Sequence, residues 1–211
     1  MKKYVYFFGG GKADGNGKMK EILGGKGAGL AEMTTAGVPV PPGFTVSTEV
    51  CNIYFENNQH VPAEIEEQVD KALAKLEKTF GKKLGDPKNP LLLSVRSGAR
   101  FSMPGMMNTI LNLGMNDETV AGLAAKTGNE WFAYDCYRRF LQMFGEVAMD
   151  IHMEKFDHVF DAQKAKRKTK LDTDLTVDDL KTIVEGYKKI YVKETGSPFP
   201  QDTKIQLKLA R

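Results

Sequence analysis

Leu91-Leu92-Leu93-Ser94-Val95-Arg96 and Thr109-Ile110-Leu111-Asn112-Leu113 are two short apolar runs that enclose Ser97-Gly98-Ala99-Arg100-Phe101-Ser102-Met103-Pro104-Gly105-Met106-Met107-Asn108. The first run is bounded by Pro90 and Gly98, so it reads as a buried strand whose last residue, Arg96, emerges at an edge. The second is rich in β-branched and aliphatic residues and reads as a partner strand. The segment between them, full of Gly, Ser, Pro and Met, predicts the tip of a hairpin-like unit. Two arginines at and just beyond a strand end suit phosphate oxygens, because the planar guanidinium presents a fork of donors. One surface ion pair per arginine is the plainer alternative. Met103, Met106 and Met107 around Pro104-Gly105 read either as core filler or as an adaptable cover over a ligand that Gly105 lets approach.

Toward the amino terminus the pattern is mixed. Tyr4-Val5-Tyr6-Phe7-Phe8 predicts a strand that gives way to a loop from Gly9 to Gly17. Leu23-Gly24-Gly25-Lys26-Gly27-Ala28-Gly29-Leu30 sets a lysine among glycines ahead of a short helix over 26–35. Free N–H groups and the helix dipole make such a helix start attractive to anions. A flexible turn with a solvated lysine explains the same residues. Neither Gly17-Lys18 nor Gly25-Lys26 completes a P-loop, and no dinucleotide GxGxxG pattern forms. Pro41-Pro42-Gly43 then breaks the chain before a strand over Phe44-Thr45-Val46, with Ser47 or Thr48 placed to cap a following helix. Ile65, Val69, Leu73, Leu76 and Phe80 recur at helical spacing among charges and predict an amphipathic helix between Pro62 and Phe80.

Beyond Gly114 the chain becomes helical. Asp117 is positioned to cap Glu118 to Lys126, and Asn129 to cap a helix carrying Tyr134, Tyr137, Leu141 and Phe144. Lys164, Lys166, Arg167, Lys168 and Lys170 form a basic run that reads as a solvated linker, since no aromatic residues interleave it for base stacking. Thr176 and Asp179 have the spacing of a capping box before Leu180, Ile183, Tyr187 and Tyr191, and Gly196 with Pro198 ends that helix. Gln201 to Arg211 reads as the start of a helix that stops abruptly, as in a truncated chain.

A chain of 211 residues, 41% hydrophobic, can bury a substantial core. Its 30 basic and 27 acidic residues give a net charge of only +3, so composition does not indicate a nucleic-acid partner. Cys51 and Cys136 read as free thiols in a reducing compartment. The apolar stretch Tyr4 to Phe8 is too short for a signal-peptide core, and no run approaches the roughly 20 residues that cross a bilayer. A cytoplasmic location without membrane contact is the expectation. His60, His152 and His158 lack the spacing of a metal site or a nucleophile-base pair and read as non-catalytic.

Taken together, Leu23-Gly24-Gly25-Lys26-Gly27, Pro42-Gly43-Phe44-Thr45-Val46 and Ser94-Val95-Arg96-Ser97 resemble the amino-terminal domain of the phosphohistidine dikinase family. Gly98-Ala99-Arg100-Phe101-Ser102-Met103-Pro104-Gly105-Met106-Met107-Asn108-Thr109 through Gly114 is similar to its pyruvate, phosphate dikinase branch, and so are Phe132-Ala133-Tyr134-Asp135 and Tyr137-Arg138-Arg139-Phe140. The resemblance implies an α+β fold: the first lobe of an ATP-grasp fold with an inserted helical subdomain, truncated before the second lobe. It implies an α+β subdomain over 1–114, a helical subdomain over 115–197, and a returning helix beginning in 198–211. It implies ATP as ligand, with Lys26 and Arg96 on its phosphates and Gly105 and Thr109 in a nucleotide loop, and magnesium accompanying the ATP.

The reaction implied for the family converts ATP, phosphate and pyruvate to AMP, pyrophosphate and phosphoenolpyruvate through a phosphohistidine. That implies as partners a second ATP-grasp lobe, a phosphohistidine domain, a pyruvate barrel and a second copy of the complete enzyme. None of the three histidines here stands in the family's Thr-Ser-His-Ala-like context, so no catalytic residue and no metal ligand is expected in this chain, which by itself is expected to be inactive. A nucleotide-sensing or interaction module derived from the same fold is the alternative.

Overall fold

The computed structural model describes residues 2–97 and 108–210, so Arg100 and the Met103-to-Met107 segment with Gly105 lie outside the described residues. The described residues fall into two compact units, 2–81 with 97, and 82–96 with 108–210.

In the first unit, β1 (Val5–Gly9) turns back at once into β2 (Lys12–Ala13), with Phe8 opposite Ala13 and Gly9 opposite Lys12. The expected long glycine loop is therefore a hairpin. Gly10 and Gly11 both have positive φ, +62° and +75°, the backbone that a two-residue turn needs to match the twist of its strands. After helix α1 (Lys20–Thr35), strand β3 (Gly43–Val46) pairs antiparallel with β1, giving the order β2-β1-β3.

Helix α2 (Glu49–Glu56) buries none of its residues, whereas α3 (Ala63–Phe80) buries Ile65, Val69, Ala72, Leu73 and Leu76 and ends at a left-handed Gly81. That apolar stripe packs on the sheet, where Val69 and Ala72 meet Val5 with Tyr4, Phe44 and Val46 around them. Gln68 ties the same helix to the strand: its Oε1 accepts from the N–H groups of Tyr4 (2.8 Å) and Val5 (3.3 Å), and its Nε2 donates to the Lys2 carbonyl (2.9 Å).

The second unit begins with the expected hairpin partners. Strand β4 (Leu93–Arg96) pairs antiparallel with β5 (Thr109–Leu113), with Val95 opposite Ile110, Arg96 opposite Thr109, and an irregular step between Leu93 and Val95. Helices α4 (Asp117–Thr127), α5 (Glu130–Met149), α6 (Met153–Arg167), α7 (Val177–Thr195) and α8 (Thr203–Leu209) follow.

The cap of α4 is Asn116 and not Asp117: its Oδ1 accepts from the N–H groups of Glu118 (3.0 Å) and Thr119 (2.8 Å). Asn129 caps α5, Thr176 and Asp179 form the predicted capping box of α7, and a left-handed Gly196 ends it. Of the basic run expected as a linker, Lys164, Lys166, Arg167 and Lys168 form the last turn of α6 and its cap, where cations face the negative end of the helix, and Lys170 lies beyond it. Lys164 pairs there with Asp172 (2.7 Å) and Arg167 with Asp179 (2.7 Å).

The core lies between α5 and α7, where Tyr137, Phe140, Phe144, Phe156, Tyr187 and Tyr191 are fully buried. Phe199, from the connection after α7, lies edge-on among Tyr137, Phe140, Phe144 and Tyr191 with ring centroids 5.1 to 6.3 Å away. Residues 108–114 and α8 belong to the same unit. Gln206 of α8, wholly buried, accepts from the Gly114 N–H (3.1 Å) and donates to the carbonyls of Met115 and Pro200 (2.9 Å each).

Candidate functional site

The glycines around Lys26 change the course of α1. Gly24 takes φ +66° and ψ 170°, so the helix breaks there and resumes at Gly25. A side chain is strongly disfavoured at that φ, so the residue must be glycine for the break to form cheaply.

The break takes the carbonyls of Glu21 and Ile22 out of the regular ladder, and Thr48 meets both. Its Oγ1 donates to the Glu21 carbonyl (2.5 Å) and its N–H to the Ile22 carbonyl (2.8 Å). Thr48 was a candidate helix cap by sequence; it does precede α2, but its side chain makes no cap bond. A second glycine fixes the approach of the resumed helix to the sheet, because a Cβ on Gly27 would stand 2.8 Å from Thr45 Cγ2 and 3.0 Å from its Oγ1. Lys26, between these anchored glycines, is exposed. The result is a cation in the first turn of a helical segment whose start carries partial positive charge, an arrangement suited to phosphate.

Arg96 and Thr109 meet in the second unit. They are directly opposed across β4 and β5, at the end of the ladder from which the chain leaves and to which it returns. Arg96 is exposed, and its Nε donates to Ser94 Oγ at 3.3 Å. Antiparallel pairing therefore makes Arg96 and Thr109 cross-strand neighbours. Lys26 belongs to the first unit and Arg96 with Thr109 to the second. Gly105, the fourth predicted contact, lies outside the described residues.

His60 sits 2.7 Å from the Asn58 carbonyl through Nδ1, and His158 is exposed on α6. Cys51 is exposed and Cys136 half-buried, both as free thiols. Asp14, just after β2, accepts from the Phe7 N–H (3.0 Å) and pairs with Lys3 (2.9 Å). Burial pushes its carboxyl up, but these two partners together outweigh that and hold it below the usual carboxylate range. Among the described residues no group of three or more His, Cys, Asp and Glu is placed to hold a metal ion, and no helix is long and apolar enough to cross a membrane.

Comparison with known proteins adds a family. The model of the pyruvate phosphate dikinase AMP/ATP-binding domain matches residues 20–60 and 57–191. Pyruvate, phosphate dikinase 1, chloroplastic, of Oryza sativa subsp. japonica is 56% identical over 209 residues, which are 99% of this chain and 22% of that protein. Pyruvate, phosphate dikinase 2 of Zea mays is 56% identical over 206 residues, 98% of this chain and 23% of that protein. The bacterial pyruvate, phosphate dikinase of Clostridium symbiosum is 51% identical over 208 residues, with shares of 98% and 23%. The chain thus spans less than a quarter of the length of the curated relatives it matches.

Proposed function

Since the chain belongs to the pyruvate phosphate dikinase family through its AMP/ATP-binding domain, we propose that it binds ATP, with Lys26 and Arg96 on the phosphates and Gly105 and Thr109 in a nucleotide loop. The helix break at Gly24 is the observation that carries this reading, because it sets Lys26 in a first helical turn between glycines that let a ligand come close. Lys26 supplies a compact positive charge, and Arg96 a planar fork that can hold two oxygens at once. Their work is electrostatic: they neutralise and orient phosphates whose charge shifts during transfer, and form no covalent bond themselves.

The fold belonging to this reading is the first lobe of an ATP-grasp, with the helices after residue 114 inserted into it. In a complete enzyme of this family the ATP held here phosphorylates a histidine outside this chain, and phosphoenolpyruvate is formed from pyruvate at a further site. For the complete enzyme that would contain this chain, the reading adds a cytoplasmic location and a dimeric state. Magnesium belongs to the reading as the counter-ion of ATP. The described residues offer no ligand cluster of their own for it, so no step is assigned to a metal held by this chain.

Chemical footprinting tests the assignment. An amine-reactive reagent applied with and without magnesium ATP, followed by peptide mass mapping, should show Lys26 protected by the nucleotide while an exposed lysine such as Lys168 reacts equally in both samples. Equal labelling of Lys26 in both samples, at nucleotide concentrations that saturate binding, contradicts the assignment.

A further inference from the structure

Thr48, outside α1, bonds two carbonyls just before the break, that of Glu21 through its side chain and that of Ile22 through its backbone. We propose that Thr48 is a positioning residue for Lys26: it fixes the direction in which the helix resumes after Gly24, and so the place where the lysine and the first-turn N–H groups meet an anion. The inference rests on the reading of Lys26 as a phosphate ligand.

Three observations converge on it. The backbone at Gly24 lies in the left-handed region, where glycine is permissive and many conformations compete, so something outside the helix must select one. The 2.5 Å bond from Thr48 Oγ1 to Glu21 and the 2.8 Å bond from its N–H to Ile22 do this from the strand side, immediately after β3. Thr45 of β3 packs on Gly27, the glycine after the lysine, so the turn is held on both sides of Lys26 by residues of one short segment. Thr48 touches no substrate on this account; it acts through α1. Its position just before α2 disguises the role, because Thr there is ordinarily taken for a helix cap, and its side chain is turned to the other helix.

The experiment is a double-mutant cycle on the whole chain, with magnesium ATP affinity measured for the parent, Lys26→Ala, Thr48→Val, Thr48→Ser and the Lys26→Ala/Thr48→Val pair, alongside amide hydrogen exchange over residues 20–30. Thr48→Val keeps the backbone bond and loses the hydroxyl. It should weaken ATP roughly three- to tenfold, the worth of one hydrogen bond. Thr48→Ser should restore the parent affinity, and in the Lys26→Ala background Thr48→Val should cost little more, because the two act as one device. A folded Thr48→Val with parent affinity, or strictly additive losses, overturns the proposal. If Lys26→Ala itself leaves affinity unchanged, the phosphate reading fails instead. If the parent chain binds no ATP, exchange decides: faster exchange at Gly25 to Gly29 in Thr48→Val alone supports the positioning role, and unchanged exchange overturns it.

Discussion

Helix α1 and helix α5 are built on opposite terms. Helix α5 runs unbroken from Glu130 to Met149, buries Tyr137, Phe140, Leu141 and Phe144, and meets α7 in an aromatic core closed by Phe199. Helix α1 carries Gly24, Gly25, Gly27 and Gly29, each costing about 1 kcal/mol against alanine where the backbone is helical, and it breaks in its own interior. The difference separates a packing helix from the helix of the proposed binding site. One helix spends its sequence on packing, and the other gives up helical stability for a turn in which a lysine and backbone amides stand exposed. Substitutions should therefore hurt stability in α5 and its partners, and hurt ligand binding in α1.

The largest effect expected is in the aromatic core. Phe199→Ala removes a ring packed on four others and should destabilise the chain by about 3–5 kcal/mol in urea unfolding. A loss under about 1 kcal/mol would mean that the connection after α7 is not part of the core.

Asp179 comes next. It is 3% exposed and accepts from Arg167, Gln163 and Thr176. Burial alone would raise its carboxyl, but Arg167, then Thr176 and Gln163, outweigh it and hold the group well below the usual carboxylate range. A carboxyl depressed in the folded state contributes stability that is full above its unfolded value and is lost as pH falls toward the folded one. Asp179→Asn should cost about 1–3 kcal/mol at neutral pH. It should also flatten the fall of stability with acid below the ordinary carboxylate range. An equally steep fall in the variant would contradict the assignment.

A methyl group on Gly27 sharpens the comparison from the other side. Gly27→Ala pushes a Cβ into Thr45 and should destabilise by about 1–3 kcal/mol although alanine is the better helix former. A gain in thermal stability would show that the close approach of α1 to β3 is not required. Smallest in stability is Lys26→Ala, which removes an exposed side chain and should change unfolding by no more than about 0.5 kcal/mol, while binding changes.

Much of this was legible in the sequence where one residue type has one physical use. The Thr176 and Asp179 box, the left-handed Gly196 and the apolar stripe of α3 were all read from spacing. Helix α6 was not, because only Phe156 of its residues is buried and its polar positions follow no clear period. Asn116 and Asp117 are both good caps, and it is Asn116 that has the extended backbone and accepts from the Glu118 and Thr119 N–H groups. For the proposed site, glycines single out Lys26 and a strand end Arg96, and two features of the structure were not legible. Glycine at position 24 permits that torsion without specifying it, since Gly25 and Gly29 lack it, and the use of Thr48 depends on a tertiary contact with α1.

The most direct test of the central claim is calorimetric titration of the chain with magnesium ATP beside the Lys26→Ala and Arg96→Ala variants. The expected result is measurable binding by the parent and weaker binding by both variants, each folded as judged by its unfolding transition. Binding of equal strength in all three would contradict it, since the nucleotide would then be held elsewhere.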